Sequence, residues 1–327
     1  MKICLLDNTS FKYSFLDKYS PILRGGETTL INLSNALSKL GHEVTVFNNC
    51  DKNQIFNEVK WVNINNNNYN NEIVYDLAIA NGNPQFFAKV KSLKKVLLSY
   101  SLQNIEKFIR KNHFYSYFKY RPKIVFLSDY HKKQTTKLTS LFGHIRLNLA
   151  VDDIFINFKI NNKIDNSQSI FTSRHDRNLD LLLDIWNKYI YPNYNKGKLL
   201  ITKPYKKISM KNNIYYREMG SQQKMMENLS SSRIFLVPGH KAELFCLAAA
   251  EAKELCIPIV TLGVGCLSER VDHEKTGFVA KTDKQFADFV IELYKNNKLW
   301  LELRNNLLSN RGIYRWDQVA KNLLLKI

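Results

Sequence analysis

GGETTLINLSNALSKLGHEVTVF, residues 25–47, decides the fold. Leu30, Leu33, Leu37 and Leu40 recur at i, i+3, i+7 and i+10, one face of a helix with a 3.6-residue period. Gly41 stands where a helix-ending glycine belongs. EVTVF (43–47), just after it, reads as a strand. KICLLD (2–7) reads as a short buried strand, and the loop behind it carries Arg24-Gly25-Gly26. A strand–helix–strand unit with a crossover of this length makes parallel strands.

The pattern continues outward. DLAIA (76–80), KVLLSY (95–100) and KIVFLS (123–128) read as strands, with a basic helix around 131–141 and IRLNLAV (145–151) as another strand. The Asn-rich NINNNNYNNE (63–72) is a loop between elements. DDIFINFKINNKIDNSQ (152–168) is polar and aperiodic, and marks the boundary between domains. A second alternating series follows. SIFTS (169–173), KLLIT (198–202), NIYY (213–216), RIFLVP (233–238) and PIVTL (258–262) read as strands. LDLLLDIWNKYI (179–190), QQKMMENLS (222–230), ELFCLAAAEAKELC (243–256) and three helices toward the end, the last at 316–326, complete it. Two runs of alternating strands and helices give an α/β fold of two doubly wound, Rossmann-like domains. Ligands of such domains sit at the carboxyl ends of the strands, here expected in a cleft between them.

Composition narrows the class. Of 327 residues, 45% are hydrophobic and 24% charged, as in soluble globular proteins. No apolar run approaches the ~20 residues of a membrane span. MKICLLD runs directly into a strand with no signal-peptide pattern. Cys4, Cys50, Cys246, Cys256 and Cys266 are scattered, without metal-ligand spacing, and read as buried reduced thiols of a cytoplasmic protein. A net charge of +19 favours anionic partners: phosphorylated small molecules, nucleic acid or an anionic membrane.

Three motifs carry chemistry. Gly25-Gly26 opens a helix whose N-terminus offers free N–H groups to an anion, or simply makes a tight turn. The dinucleotide fingerprint GxGxxG is absent. Arg174 and Arg177 in TSRHDRNLD (172–180) precede the first helix of the second domain, where guanidinium forks clamp a diphosphate or merely face solvent. Glu243 and Glu251 bracket an apolar segment. On an ideal helix they stand about 80° apart in azimuth and roughly 12 Å along the axis. That separation excludes a shared metal ion but suits two parts of one elongated ligand. A helix with one Glu at its N-terminus and one facing solvent fits the spacing equally.

The order of these motifs resembles the retaining glycosyltransferases of the GT-B fold, in particular the large family 4 group. The resemblance covers most of the chain. Its carriers are the Gly25-Gly26 loop, Gly41-His42-Glu43-Val44, a basic residue after the second domain's first strand, and the E-x7-E pair Glu243…Glu251. PIVTLGVGCLSERVDHEKTGFVA (258–280) and the helix after Tyr314-Arg315-Trp316-Asp317 complete it. The sequence departs from the family at Cys246 and Cys256, where glycines are usual, and at Ser173-Arg174, where Gly-Arg is. The chain is also short for the family.

The resemblance implies transfer of a sugar from a nucleotide diphosphate sugar, with retention, to a glycan or lipid-linked glycan, with no metal or other cofactor. It implies a donor site of Gly25, Gly26, Arg174, Arg177, Glu243, Leu244, Phe245 and Glu251. In it Glu251 holds the ribose, Glu243 the sugar, and Arg177, with Arg174 as neighbour, the diphosphate; Glu243 and Arg177 stand nearest the chemistry. It also implies an acceptor-side domain (1–155, joined by the C-terminal helix 315–327) and a donor-binding domain (156–314).

The basic stretch 91–123, with Ile105, Phe108 and Ile109 beside Lys107, Arg110 and Lys111, has three readings: a solvated helix, an anionic membrane surface or a nucleic-acid patch. The first ranks highest, and nucleic acid is not expected. Two rival functions remain open, a non-catalytic polyanion-binding protein and a nucleotide-sugar epimerase of the same fold.

Overall fold

In a computed structural model of the chain, residues 1–20, 23–65, 72–160, 163–203, 210–217 and 220–327 are described. Part of the Asn-rich tract (66–71) and of the boundary stretch (161–162) lies outside the described residues. The chain divides into two compact units: Met1–Ala150 with Arg315–Ile327, and Val151–Tyr314.

The first unit is built on β1 (Lys2–Leu6), β2 (Glu43–Asn48), β3 (Gln54–Phe56), β4 (Val59–Asn63), β5 (Val74–Asn81), β6 (Lys91–Leu98), β7 (Lys123–Phe126) and β8 (His144–Arg146). Their order across the sheet is β3-β4-β2-β1-β5-β6-β7-β8. All described pairings are parallel except the β3–β4 hairpin. The helix Gly25–Lys39 joins β1 to β2. Its Leu30, Leu33 and Leu37 are at most 1% exposed, which at about 2 kcal/mol apiece fixes that face on the sheet. The C-terminal helix Trp316–Lys326 packs against this helix. Lys123 Nζ ties its end down by donating to the Lys326 carbonyl at 3.1 Å.

One element of this unit was not expected, and two expectations are corrected. The hairpin β3–β4 turns through Asn57 and Glu58, both with positive φ (46° and 63°), the backbone of a tight two-residue turn without its usual glycine. The strand read at 145–151 pairs only over His144–Arg146, because its neighbour β7 is itself four residues long and ends at Phe126. The basic helix at 131–141 breaks into a helical turn at Asp129–Lys133 and a 3-10 turn at Lys137–Phe142. Between them Thr136 donates its backbone N–H to Gln103 rather than to the helix.

The second unit holds β9 (Asp165–Phe171), β10 (Lys198–Thr202), β11 (Ile214–Arg217), β12 (Ser232–Leu236), β13 (Ile259–Thr261) and β14 (Gly277–Val279). Their order is β11-β10-β9-β12-β13-β14, every described pairing parallel. Successive residues feed opposite faces, as the pleat requires. Phe171, Ile234 and Leu236 join Leu182, Trp186 and Phe286 on one side. Ile170, Phe235 and Val237 join Leu229, Ala249 and Ala252 on the other. Burial on both faces explains why these strands are apolar runs rather than alternating ones. The second unit starts at Val151, ahead of position 156, because Val151, Phe155 and Ile156 pack into its core. The helix read at 179–190 is α-helical over Leu179–Ile185 and continues as a π turn over Trp186–Ile190.

All five cysteines are free and buried. No helix among the described residues is long and apolar enough to cross a membrane.

Candidate active site

Arg174, Arg177 and Glu243 gather beyond the carboxyl ends of β9 and β12, where parallel sheets bind ligands. After β9 the chain turns sharply, with the Arg177 N–H donating to the Arg174 carbonyl at 3.0 Å. Asn178 follows in the left-handed region (φ 62°) and caps the helix Leu179–Ile185. Its Nδ2 donates to the Gly239 carbonyl in the turn after β12. The two loops are thereby joined.

That junction brings Arg177 to Glu243. Arg177 Nε lies 3.2 Å from Glu243 Oε1, both side chains mostly buried at 19% and 13% exposure. Burial pushes the Glu243 carboxyl above its ordinary value, and the Arg177 guanidinium pulls it partly back. Arg177 Nη1 also reaches Asp176 Oδ2 at 3.3 Å, and the exposed Arg174 pairs with the same oxygen at 2.8 Å. The site is thus a chain of cation–anion contacts in which Asp176 bridges two arginines.

One expectation fails here. The helix of the Glu243…Glu251 stretch runs over Leu247–Glu254, so Glu243 lies ahead of it in a turn. The ideal-helix spacing of the two carboxylates therefore does not apply. Cys246 is the reason: its φ of 58° is left-handed, which a continuous helix cannot include. Cys256, the other cysteine at a position where glycine is usual, has φ 59°. Both departures keep the backbone of a glycine without being one.

Glu251 lies within the helix, apart from the arginine cluster. Burial, with the Asp152 charge adding to it, pushes its carboxyl up to about 8. Leu244 and Phe245 are buried at 5% exposure each, with the Arg270 guanidinium stacked 4.1 Å over the Phe245 ring. What they have left to offer a ligand is main chain.

Gly25 and Gly26 belong to the first unit. A Cβ on Gly26 would meet only ordinary contacts, the nearest being Asn81 Nδ2 at 3.5 Å. At Gly26, nothing described within that unit demands glycine. Glu27 is already folded back on the helix start, accepting the Arg24 N–H at 3.1 Å.

Sequence reasoning missed Asp176, Asp152, Asn178, Arg270 and two glycines. Gly239 follows Pro238, and Gly265 ends a Gly-Val-Gly turn, so Pro-Gly and Gly-x-Gly were legible signals of tight loops.

With this geometry in view, the comparisons are informative. Residues 200–311 match the family model described as Glycosyl transferases group 1. No curated protein matches the chain by sequence. Among solved structures the chain is similar to Anabaena HepE in complex with UDP-glucose, with a TM-score of 0.71 and 12% identity over 99% of this chain and 98% of that one. It is similar to sucrose-phosphate synthase from Thermosynechococcus elongatus, with a TM-score of 0.67 and 12% identity over 99% and 98%. It is also similar to a TarM variant of S. aureus in complex with Fondaparinux, alpha-GlcNAc-glycerol and UDP, with a TM-score of 0.59 and 15% identity. That match covers 76% of this chain and 54% of TarM, so this chain spans about half of TarM's length. Residues 200–311, within the second unit, match the group 1 glycosyltransferase model, and the chain shares the GT-B fold of two Rossmann-like domains with these solved structures.

Proposed function

We propose that this glycosyltransferase moves a sugar from a nucleotide diphosphate sugar to a glycan or lipid-linked glycan, with retention of anomeric configuration and without a metal ion. The observation that carries the reading is the Arg177–Glu243 pair at 3.2 Å, mostly buried and beyond the carboxyl ends of β9 and β12. Similarity to a protein solved with UDP-glucose supports the donor class.

In this reading the second unit holds the donor. Arg177, with Arg174, takes the negative charge that grows on the departing diphosphate, the step at which fixed cations help most. Glu243, released from Arg177 as the phosphate arrives, accepts hydrogen bonds from the sugar hydroxyls. Glu251, its carboxyl raised by burial, meets the ribose. Main-chain groups of Leu244 and Phe245 line the path between. No side chain in the cluster is a strong nucleophile candidate, which favours front-face displacement. In that route the leaving phosphate takes the acceptor's proton as the new bond forms.

The test is transfer from UDP- and GDP-sugars to a panel of glycan acceptors, with the product's anomeric coupling read by NMR. Retained configuration, and turnover persisting in EDTA, are expected. Inversion, or full loss in EDTA restored by a divalent ion, overturns the mechanism.

The acceptor side carries a second proposal. The helix Ile105–Arg110 does not present one apolar face: Phe108 is fully buried, while Ile105 and Ile109 are 52% and 67% exposed. On the helix Phe114–Tyr120, Tyr115 and Phe118 are likewise exposed. Exposed apolar side chains among lysines and arginines suit peripheral contact with an anionic membrane. Co-sedimentation with phosphatidylglycerol vesicles, weakened by Ile109→Ser, is expected; equal binding to neutral vesicles overturns it.

A further inference from the structure

The turn that carries Glu243 is not self-supporting. It lies against a second turn, 262–267, that follows β13, and the contact is main chain against main chain. Gly239 forms a parallel bridge with Val264. The Leu262 N–H donates to the Pro238 carbonyl at 3.1 Å, and the Cys266 N–H donates to the Glu243 carbonyl at 3.0 Å. The Glu243 N–H is spent on the His240 carbonyl at 2.9 Å, which closes its turn.

Gly265 sits at the tightest point. Its φ is +76°, and a Cβ there would stand 2.5 Å from the His240 carbonyl oxygen, 2.8 Å from that of Glu243 and 3.2 Å from Glu243 Cβ. Two of those three atoms are backbone, so a side chain could be admitted only by pushing the Glu243 turn away. Cys246 lies close to the Glu243 carboxylate and favours its charged form. Glu243 is thus held at its carboxylate by Arg177 and at its main chain by a turn that rests on Gly265.

We propose that Gly265 is a positioning residue for Glu243, the bare main chain of the 262–267 turn serving as the template that sets the carboxylate against Arg177. This rests on the reading of Glu243 as a donor-binding group. Sub-ångström placement matters at such a site, since misplacing a reacting partner by about 1 Å can reduce rate about 100-fold.

Gly263 provides an internal control. It shares the turn and the left-handed backbone (φ +71°), but its Cβ would meet the Val279 side chain at 2.8 Å and not the Glu243 turn. Gly263→Ala and Gly265→Ala therefore suffer similar backbone strain, and only the second displaces Glu243.

The experiment reads the Arg177 Nε–H resonance in full-length protein labelled with 15N-arginine, assigned by its loss in Arg177→Lys and its shift in Glu243→Gln. Gly265→Ala should move that signal toward the Glu243→Gln position, and Gly263→Ala should leave it in place. The proposal is overturned if Gly265→Ala leaves the signal unmoved or if both variants move it alike. Hydrogen exchange of the unmodified protein tests the same contact should Gly265→Ala fail to fold. The Cys266 amide should exchange at least 100-fold more slowly than the unstructured chain, and exchange at the unstructured rate refutes the template. If the Arg177 signal moves as expected but sugar transfer does not fall at least tenfold in Gly265→Ala, the template stands and the assignment of Glu243 to the donor fails.

Discussion

Glu251 titrates in a range where the consequence can be measured. A carboxyl raised from its ordinary 4.5 to about 8 holds its proton in the folded protein and loses it on unfolding at neutral pH. The stabilisation this gives is fully present below about pH 4.5 and is lost as pH rises through 8, because the folded state binds the extra proton. Each pH unit between those values costs up to about 1.4 kcal/mol. Integrated from pH 6 to pH 9, with the curve flattening above 8, the loss is about 2.5 kcal/mol. Glu251→Gln keeps the shape and the neutral state but cannot ionise, so it should not show this loss. Thermal unfolding of the two proteins across pH 6–9 is the assay, and contributions from every other titrating group cancel in the difference. For a unit of this size the wild-type transition should fall relative to the variant by roughly 5–10 °C. Asp152→Asn, which removes the neighbouring charge, should move the fall to lower pH. Parallel curves for wild type and Glu251→Gln would refute the reasoning, since they would mean that Glu251 is solvated and charged throughout.

Arg177→Ala should lower kcat by about 100- to 1000-fold, the scale of removing one cation or donor from a transition state. Its transition temperature should shift by only a few degrees, and losses of activity and of fold in equal proportion would remove Arg177 from the chemistry. At Cys256, with φ 59°, replacement by Gly should destabilise less than replacement by Ala, reversing the usual order by about 1 kcal/mol. Denaturant titration of the two variants decides, and an Ala variant as stable as the Gly one contradicts the backbone assignment. The same ordering is expected at Cys246, where both variants also remove the thiol that faces Glu243.

What could be read from the chain follows from how locally each feature is encoded. The helix Gly25–Lys39 announces itself through Leu30, Leu33 and Leu37, and the doubly wound architecture follows from apolar runs such as RIFLV that are buried on both faces. Arg177 and Glu243 were singled out separately, 66 positions apart in the sequence. Their pairing was not legible, because it depends on the Asn178–Gly239 hydrogen bond that joins two loops. The helix start was misjudged because Glu243–Cys246 has helical composition, and only the left-handed Cys246 breaks it. A cysteine gives no intrinsic signal for such a φ, so only its place at a position where glycine is usual pointed to the break. The charge state of Glu251 was equally hidden, since it needs burial and the distant Asp152 together. At Ile105, Phe108 and Ile109 the spacing suggested one face, but the short helix buries Phe108 and exposes the other two.

The central claim is that the second unit binds a nucleotide diphosphate through residues that include Glu251. Calorimetric titration with UDP, GDP, ADP and CMP at moderate salt, wild type beside Glu251→Ala, tests it most directly. One nucleoside diphosphate should bind the wild type and lose at least tenfold in affinity for the variant. Failure of every nucleotide to bind, or equal binding by all four that salt abolishes in both proteins, would contradict it.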